Sequence, residues 1–334
     1  MKHWQEFIDG QAKQLLEQNF ICDADEVGLI LVTGEDATEF MQNQFSNDIN
    51  LIDEGHYQLS SYSTPKGRML AIFRVLRIAN GYILLTTRSL ILPLLQRLQM
   101  YIVQSQVALA DASGHFARFA IQTDTAAIIE HPLLAQEVGA SFQNDSVFSL
   151  QLEPQNGQRR YLVLCLSADE ARSLWSQFSD TLQVAGYASW KLAEIKAGMP
   201  VIHPQTSEEF VLQMSNLNLL GGVSFKKGCF PGQEIVARMQ YLGTLKRRMF
   251  LASLETLQLP VPGDEIVTRG KDTVDGSGKI VDAEFARDGL CYCLYIARIE
   301  KAESGKLCLL TQPDTAFKNI DLPYGDENEA AIGQ

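Results

Sequence analysis

One stretch of the 334-residue chain concentrates reactive residue types: Ser224-Phe225-Lys226-Lys227-Gly228-Cys229-Phe230-Pro231-Gly232-Gln233-Glu234-Ile235-Val236-Ala237-Arg238. The chemistry such a stretch could perform is nucleophilic attack by sulfur. A thiol reacts as thiolate, and the thiolate is favoured by neighbouring cations and by a helix N-terminus. Lys226 and Lys227 stand on one side of Cys229. Pro231-Gly232 forces a bend on the other, where the pattern predicts a helix from about Gln233. Gly228 permits close approach of the backbone, and the loop amides suit an anion. A short strand is predicted over 223–225. The plain alternative is a buried, inert cysteine in a tight turn, the usual state of a free cysteine.

Charge singles out the same region. Between residues 226 and 248 stand Lys226, Lys227, Arg238, Lys246, Arg247 and Arg248, against Glu234 alone. The whole chain, with 28 basic and 40 acidic residues, carries −12. Such an acidic chain is not expected to bind nucleic acid or anionic membrane through its bulk charge, so direct nucleic-acid binding is disfavoured. The local run is either a solvated face or a dock for a polyanionic tail or an RNA phosphate. The cysteines at 22, 165, 229, 291, 293 and 308 form no C-x-x-C, and the histidines no H-E-x-x-H, so no metal is predicted. Cys291 and Cys293 would share one face of a strand and are expected to pack there. No apolar run reaches the roughly 18 residues that a membrane span needs. Residues 1–10 carry Lys2, Glu6 and Asp9 and do not read as a signal peptide. The expected location is cytoplasmic.

The elements that must position these residues alternate. Helical spacing runs over 3–19, a strand over 28–33 and a helix to Phe45. Strands over 56–63 and 69–79 flank the turn Thr64-Pro65-Lys66-Gly67, and Asn80-Gly81 predicts a hairpin to a strand over 82–86. A helix over 89–100 and a strand over 103–110 follow. Further on come a strand over 116–122, a helix over 123–138, and a hairpin of 147–152 with 161–166. Helices capped by Ser167 and ending at Gly198 follow. Beyond 248, short strands separated by Gly-Asp, Asp-Gly and Ser-Gly turns predict a small β-barrel. The mixed order places the chain in the α+β class. Its expected parts are 1–245, a C-terminal barrel over 246–324 and a loose tail over 325–334.

Lys227-Gly228-Cys229-Phe230-x-Gly232-Gln233-Glu234 resembles the K-G-C-[FY]-x-G-Q-E signature of the YgfZ family, which is related to the T-protein (aminomethyltransferase) of glycine cleavage. The likeness extends to Asn216-Leu217-x-x-Leu220-Gly221-Gly222-Val223-Ser224-Phe225, to Ala197-Gly198-Met199-Pro200-Val201-Ile202, to Val32-Thr33-Gly34 and to Lys66-Gly67-Arg68-Met69. It implies two ferredoxin-like α+β subdomains and a C-terminal β-barrel around a central channel, with 1–245 binding a tetrahydrofolate-type ligand. It further implies a role in assembling or repairing iron–sulfur client enzymes, including tRNA-modifying ones, with Cys229 as the functional thiol. Trp190 matches the family's folate-contacting tryptophan. Val27 stands where the family has a second aromatic contact, and Lys196 stands where a glutamate often precedes A-G-x-P. A cation cannot accept bonds from pterin N–H groups. Asp48, Lys66 and Arg238 are further candidate contacts. T-proteins carry a catalytic acid after the glycine pair near Gly67, but Gly67 to Val75 contains none, and Cys229 stands where they have Asp. Aminomethyl transfer is therefore disfavoured. A folate-independent adaptor that docks clients or RNA is the other reading.

Overall fold

The computed structural model describes residues 2–11, 13–241, 243 and 245–325. The tail expected to be loose lies outside these residues except for Gly325. The chain is α+β, with three sheets divided between two compact units. The first unit comprises Met1–Gln42, Asp48–Gln58 and Phe73–Ala193, and the second Asn43–Asn47, Leu59–Ile72 and Glu194–Gln334.

In the first unit one sheet has the strand order Gln183–Ala185, Phe20–Asp23, Ala117–Thr123, Gln158–Cys165, Val147–Gln155, Ser141–Gln143. Its two outer partners at one edge, Phe20–Asp23 and Gln183–Ala185, run parallel. Alternation along the strands sorts side chains to two cores. Ile21, Phe119, Ile121, Tyr161 and Val163 pack under Trp4, Trp175 and Phe178 from the helices Lys2–Asp9 and Ala168–Ser179. Phe20, Cys22, Ala120, Leu150 and Leu162 face the other way, with Trp190 and Leu29. Every residue of Ala117–Thr123 is buried, as expected of a strand covered on both faces. A second sheet has the order Tyr57–Ser63, Met69–Ile78, Gly81–Thr87, Val27–Thr33, Ala108–Asp111. Residues 59–72 of its leading hairpin belong to the second unit.

The second unit contains a six-stranded sheet, Leu307–Leu309, Glu265–Thr268, Gly278–Arg287, Leu290–Arg298, Arg247–Glu255, Lys318–Ile320, whose neighbouring strands pair antiparallel. Cys291 and Cys293 lie side by side in its core, as the strand period requires.

Several local expectations are overturned. The first helix ends at Asp9, before Gly10, rather than continuing to 19. Beyond it, Gln14 bridges Ala185 and the Leu16 N–H donates to Ser189 Oγ at 2.8 Å, so tertiary bonds hold this stretch extended. The helix predicted over 123–138 is one turn, Ala126–Ile129, because Pro132 disfavours helical backbone at His131. In place of the strand predicted over 103–110, a shorter one forms over Ala108–Asp111.

Asp23 closes its strand in a poorly solvated position. Burial and then the Asp25 carboxylate raise its carboxyl from 3.8 to about 6, although Arg118 opposes the rise. The folded state therefore holds this proton more tightly than the unfolded chain. The group's contribution to stability is greatest below pH 4 and falls as pH rises from about 4 to 6. Asp23→Asn is expected to raise stability near pH 8 by up to about 3 kcal/mol and to do little near pH 4. Thermal unfolding at the two pH values checks this, and an equal effect at both rejects it.

Candidate functional site

The Cys229 loop is built on a buried polar scaffold within the second unit. Ser46 Oγ donates to the Gly222 carbonyl at 2.7 Å, and Asn47 Nδ2 donates to the carbonyls of Leu59 and Gly221, both at 2.7 Å. Ser60 Oγ and Ser46 Oγ accept the N–H groups of Asn47 and Ser61 at 3.1 and 2.8 Å. Lys227 drives its ammonium into this scaffold, donating to the carbonyls of Phe45 at 2.6 Å and Asn47 at 2.9 Å. It also lies 5.3 Å from the Phe230 ring centroid. Lys227 is thus a strut of the loop, 8% exposed, rather than a surface charge. Val223 to Phe225 is not a strand. A bond from the Ser224 N–H to the Ser46 carbonyl at 3.1 Å holds it in irregular backbone.

The helix expected from Gln233 runs Gln233–Tyr241. The Gln233 N–H donates to the Phe230 carbonyl, and those of Ile235 and Val236 to the Gly232 carbonyl, at 3.1, 3.1 and 3.2 Å. Gly232 adopts φ +84°, and a Cβ there would lie 2.5 Å from the Gly67 Cα. Gly67 itself has φ +71° and sits against Ile235. The Thr64–Gly67 turn, which carries the exposed Lys66, is therefore pressed directly on the Pro231-Gly232 bend. Below, Gln213 Nε2 donates to the Val236 carbonyl at 2.6 Å.

The loop alternates anchors with exposed residues. Lys227, Phe230 and Gly232 are buried, and Lys226, Gly228 and Cys229 are exposed. Among the described residues, which include all six cysteines, Cys229 alone is exposed. Burial raises the other thiols, Cys165 to about 12 and Cys291 to about 11, with Cys22, Cys293 and Cys308 also raised. The basic run around the loop does not form one face. Arg238 pairs with Glu234 at 2.6 Å on the helix surface, and Arg248 Nε donates to Asn216 Oδ1 at 3.2 Å. Arg247 Nη2 donates to the Gly276 carbonyl at 2.6 Å.

The residues matched to folate contacts fall elsewhere. In the first unit Trp190 is 1% exposed, with the Arg160 guanidinium 4.8 Å from its ring centroid. Val27 is partly buried against the same cluster, as are Tyr57 and Tyr187. The Arg74 guanidinium, hydrogen-bonded to Tyr57, shares this neighbourhood with Arg160 and Glu153. Burial, then Arg74, lowers Arg160 to about 9. Tyr57, Arg74, Arg160 and Tyr187 were not singled out from the sequence. The available signal was Arg74 in the apolar run of Met69–Ile78, while Arg160 follows Gln158 and Arg159 at the start of its strand and carries no such signal. Asp48 Oδ1 accepts from the Asn50 N–H and Nδ2, both at 3.2 Å, and from Gln42 Nε2 at 3.0 Å, so it caps a turn. In the second unit Lys196 lies 4.2 Å from the Tyr292 ring centroid. Among the described residues no group of three or more His, Cys, Asp or Glu could hold a metal ion, and no helix is long and apolar enough to cross a membrane.

Residues 1–143 match the family model described as the GCVT N-terminal domain. The glycine cleavage system aminomethyltransferase T from Bartonella henselae superposes with a TM-score of 0.69 at 15% identity, over 92% of this chain and 86% of that one. The fold is thus that of the T-type aminomethyltransferases. The tRNA-modifying protein YgfZ of Edwardsiella ictaluri is 30% identical over 312 residues, 90% of this chain and 91% of the relative. That of Colwellia psychrerythraea is 28% identical over 317 residues, 92% and 94% of the two chains. The chain belongs to the YgfZ family.

Replacing Lys227 with Met would leave the Phe45 and Asn47 carbonyls short of a donor. Each unmet buried acceptor costs about 1–3 kcal/mol. The expected result is a loss of that order in urea unfolding, together with faster alkylation of Cys229 as its loop loosens. A variant as stable as the parent would show that the strut is dispensable.

Proposed function

We propose that the chain serves a YgfZ-type function in tRNA modification, binding a tetrahydrofolate-type ligand and supporting iron–sulfur enzymes through the Cys229 thiol. The observation that carries this reading is the family signature loop, whose cysteine is exposed while Lys227 and Phe230 on either side anchor it in the interior. In this reading residues 1–245 form the folate-binding region, 246–324 the barrel, and the protein works in the cytoplasm.

The residues present fit a folate in part. Val27, Tyr57 and Tyr187, partly exposed on one cluster, would hold the face of a flat heteroaromatic ring, where stacking contributes about 0.5–1.5 kcal/mol beyond burial. Arg74 would supply donors to its oxo or carboxylate oxygens, and the fully buried Arg160 adds positive charge nearby. Trp190 supports this wall from beneath, and Lys196 offers no acceptor to ring N–H groups. A bound tetrahydrofolate supplies one-carbon capture. Cys229 supplies exchange at sulfur. As thiolate it attacks the outer sulfur of a client persulfide, takes that sulfur as its own persulfide and releases the client thiolate. The held loop keeps the nucleophile oriented without burying it.

Cys229→Ala is expected to abolish rescue of a bacterial strain lacking its own YgfZ, with unchanged thermal stability because the side chain is exposed. Full rescue would remove the thiol from the mechanism. Tetrahydrofolate titration read by tryptophan fluorescence is expected to show saturable quenching, weakened about tenfold or more in Arg74→Leu, in line with a charged hydrogen bond of about 1.5–3 kcal/mol. No response at millimolar ligand would favour the folate-independent adaptor.

A further inference from the structure

A cavity of about 300 Å³ lies within the second unit, with Arg68, Arg247, Lys279, Glu209 and Glu265 as its charged wall. Arg247 opens the strand Arg247–Glu255, and Arg298 closes the strand Leu290–Arg298, in register directly opposite. Like charges facing each other across a strand pair are destabilising. A third guanidinium, Arg68, acts on Arg247 from the Lys66-Gly67-Arg68 turn. Among the nearby acids Glu265 offsets this crowding only in part. Lys279 holds Glu209 at 3.0 Å and Glu265 at 3.2 Å. Asp275 is turned to Thr268, Ser277 and Lys301. Among the described residues, Arg68, Arg247 and Arg298 have no carboxylate partner. Arg68 and Arg247 donate to the backbone carbonyls of Glu209 and Gly276.

Gly276 lies close to two of the guanidinium tips. A Cβ on Gly276 would lie 3.6 Å from Arg247 Nη2 and 3.8 Å from Arg298 Nη2. We propose that this cavity is a phosphate-binding site, in which Arg68 and Arg247 from its wall, joined by Arg298 from beside Gly276 at its margin, hold the oxygens of a phosphate ester. A guanidinium matches phosphate geometry with paired donors, and charge-assisted bonds of this kind are the strong ones. Burial, then Arg298 and Arg68, weakens the hold of Arg247 on its own proton, with Glu265 opposing, in keeping with positive charge in excess of the nearby acids. Phe210, Met214 and Ile296 complete the wall and leave room for the group that carries the phosphate. The ester could come from a small molecule or from a nucleic-acid backbone, since both present the same oxygens.

The test is calorimetric titration of the full chain with inorganic phosphate, chloride being exchanged to keep ionic strength constant. One saturable site is expected, at least tenfold weaker in Arg298→Gln and in Arg68→Gln. In phosphate-free buffer Arg298→Gln should melt at the same temperature as the parent or higher, because it removes repulsion, yet lose the rise in melting temperature that phosphate gives the parent. A purely structural arginine would do the reverse. A second arm uses a labelled single-stranded RNA oligonucleotide. Binding that phosphate displaces and Arg298→Gln abolishes assigns the site to a nucleic-acid phosphate. Phosphate binding without RNA binding assigns it to a small phosphate ester. No saturable heat at millimolar phosphate, or affinity unchanged in both variants, overturns the proposal.

Discussion

An ammonium removed from water must be given oxygen atoms, and the structure around Cys229 depends on how Lys227 receives them. Its acceptors are main-chain carbonyls of Phe45 and Asn47, far away in sequence, so the loop is tied to a segment the chain formed about 180 residues earlier. A lysine suits this task better than an arginine, because a compact point charge on a flexible stem reaches two carbonyls that need not be coplanar. Ser46 and Asn47, buried beside it, complete the scaffold by bonding to Gly221, Gly222 and the strand bearing Ser60 and Ser61. With the loop held by Lys227 and Phe230, the two residues between them, Gly228 and Cys229, are turned outward. Exposure of the thiol is therefore a consequence of burying its neighbours.

The second constraint is the absence of side chains where two turns meet. Gly67 and Gly232 come from separate turns, each with positive φ, and their backbones touch at a distance that a Cβ on Gly232 would occupy. Positive φ alone would allow an asparagine at either position. The contact does not. This joins the Lys66-Gly67-Arg68 turn to the cysteine loop and accounts for two motifs, widely separated in sequence, appearing together in one chain.

What could be read from the sequence was local. Pro231-Gly232 and the helix from Gln233, the Asn80-Gly81 hairpin, the Ser167 cap and the stop at Gly198 all follow from backbone preferences of a few residues, and all form. What failed was decided at long range. The residues after Gly10 have helical spacing but are drawn out by Ala185 and Ser189, and Val223 to Phe225 looks like a strand but finds one bond to Ser46 instead of a ladder. Arg74 and Arg160 escaped notice because periodicity treats a polar residue in a strand as an outward position, whereas both are drawn into a neighbourhood with Tyr57 and Glu153.

Charge shows the same division most sharply. Counted along the chain, residues 226–248 are a single basic run. Folded, Lys227 is a buried strut, Arg238 is neutralised one helical turn away by Glu234, and Arg247 meets Arg298 across a strand pair. Only that last meeting concentrates positive charge, and one of its members lies outside the run. Net charge is a poor guide here for a physical reason: at physiological ionic strength a surface charge is screened within about 8 Å. A chain of −12 can therefore present a cavity where guanidiniums crowd together, because the two acids of its wall, Glu209 and Glu265, are paired with Lys279 and most of the others are distributed elsewhere in the chain.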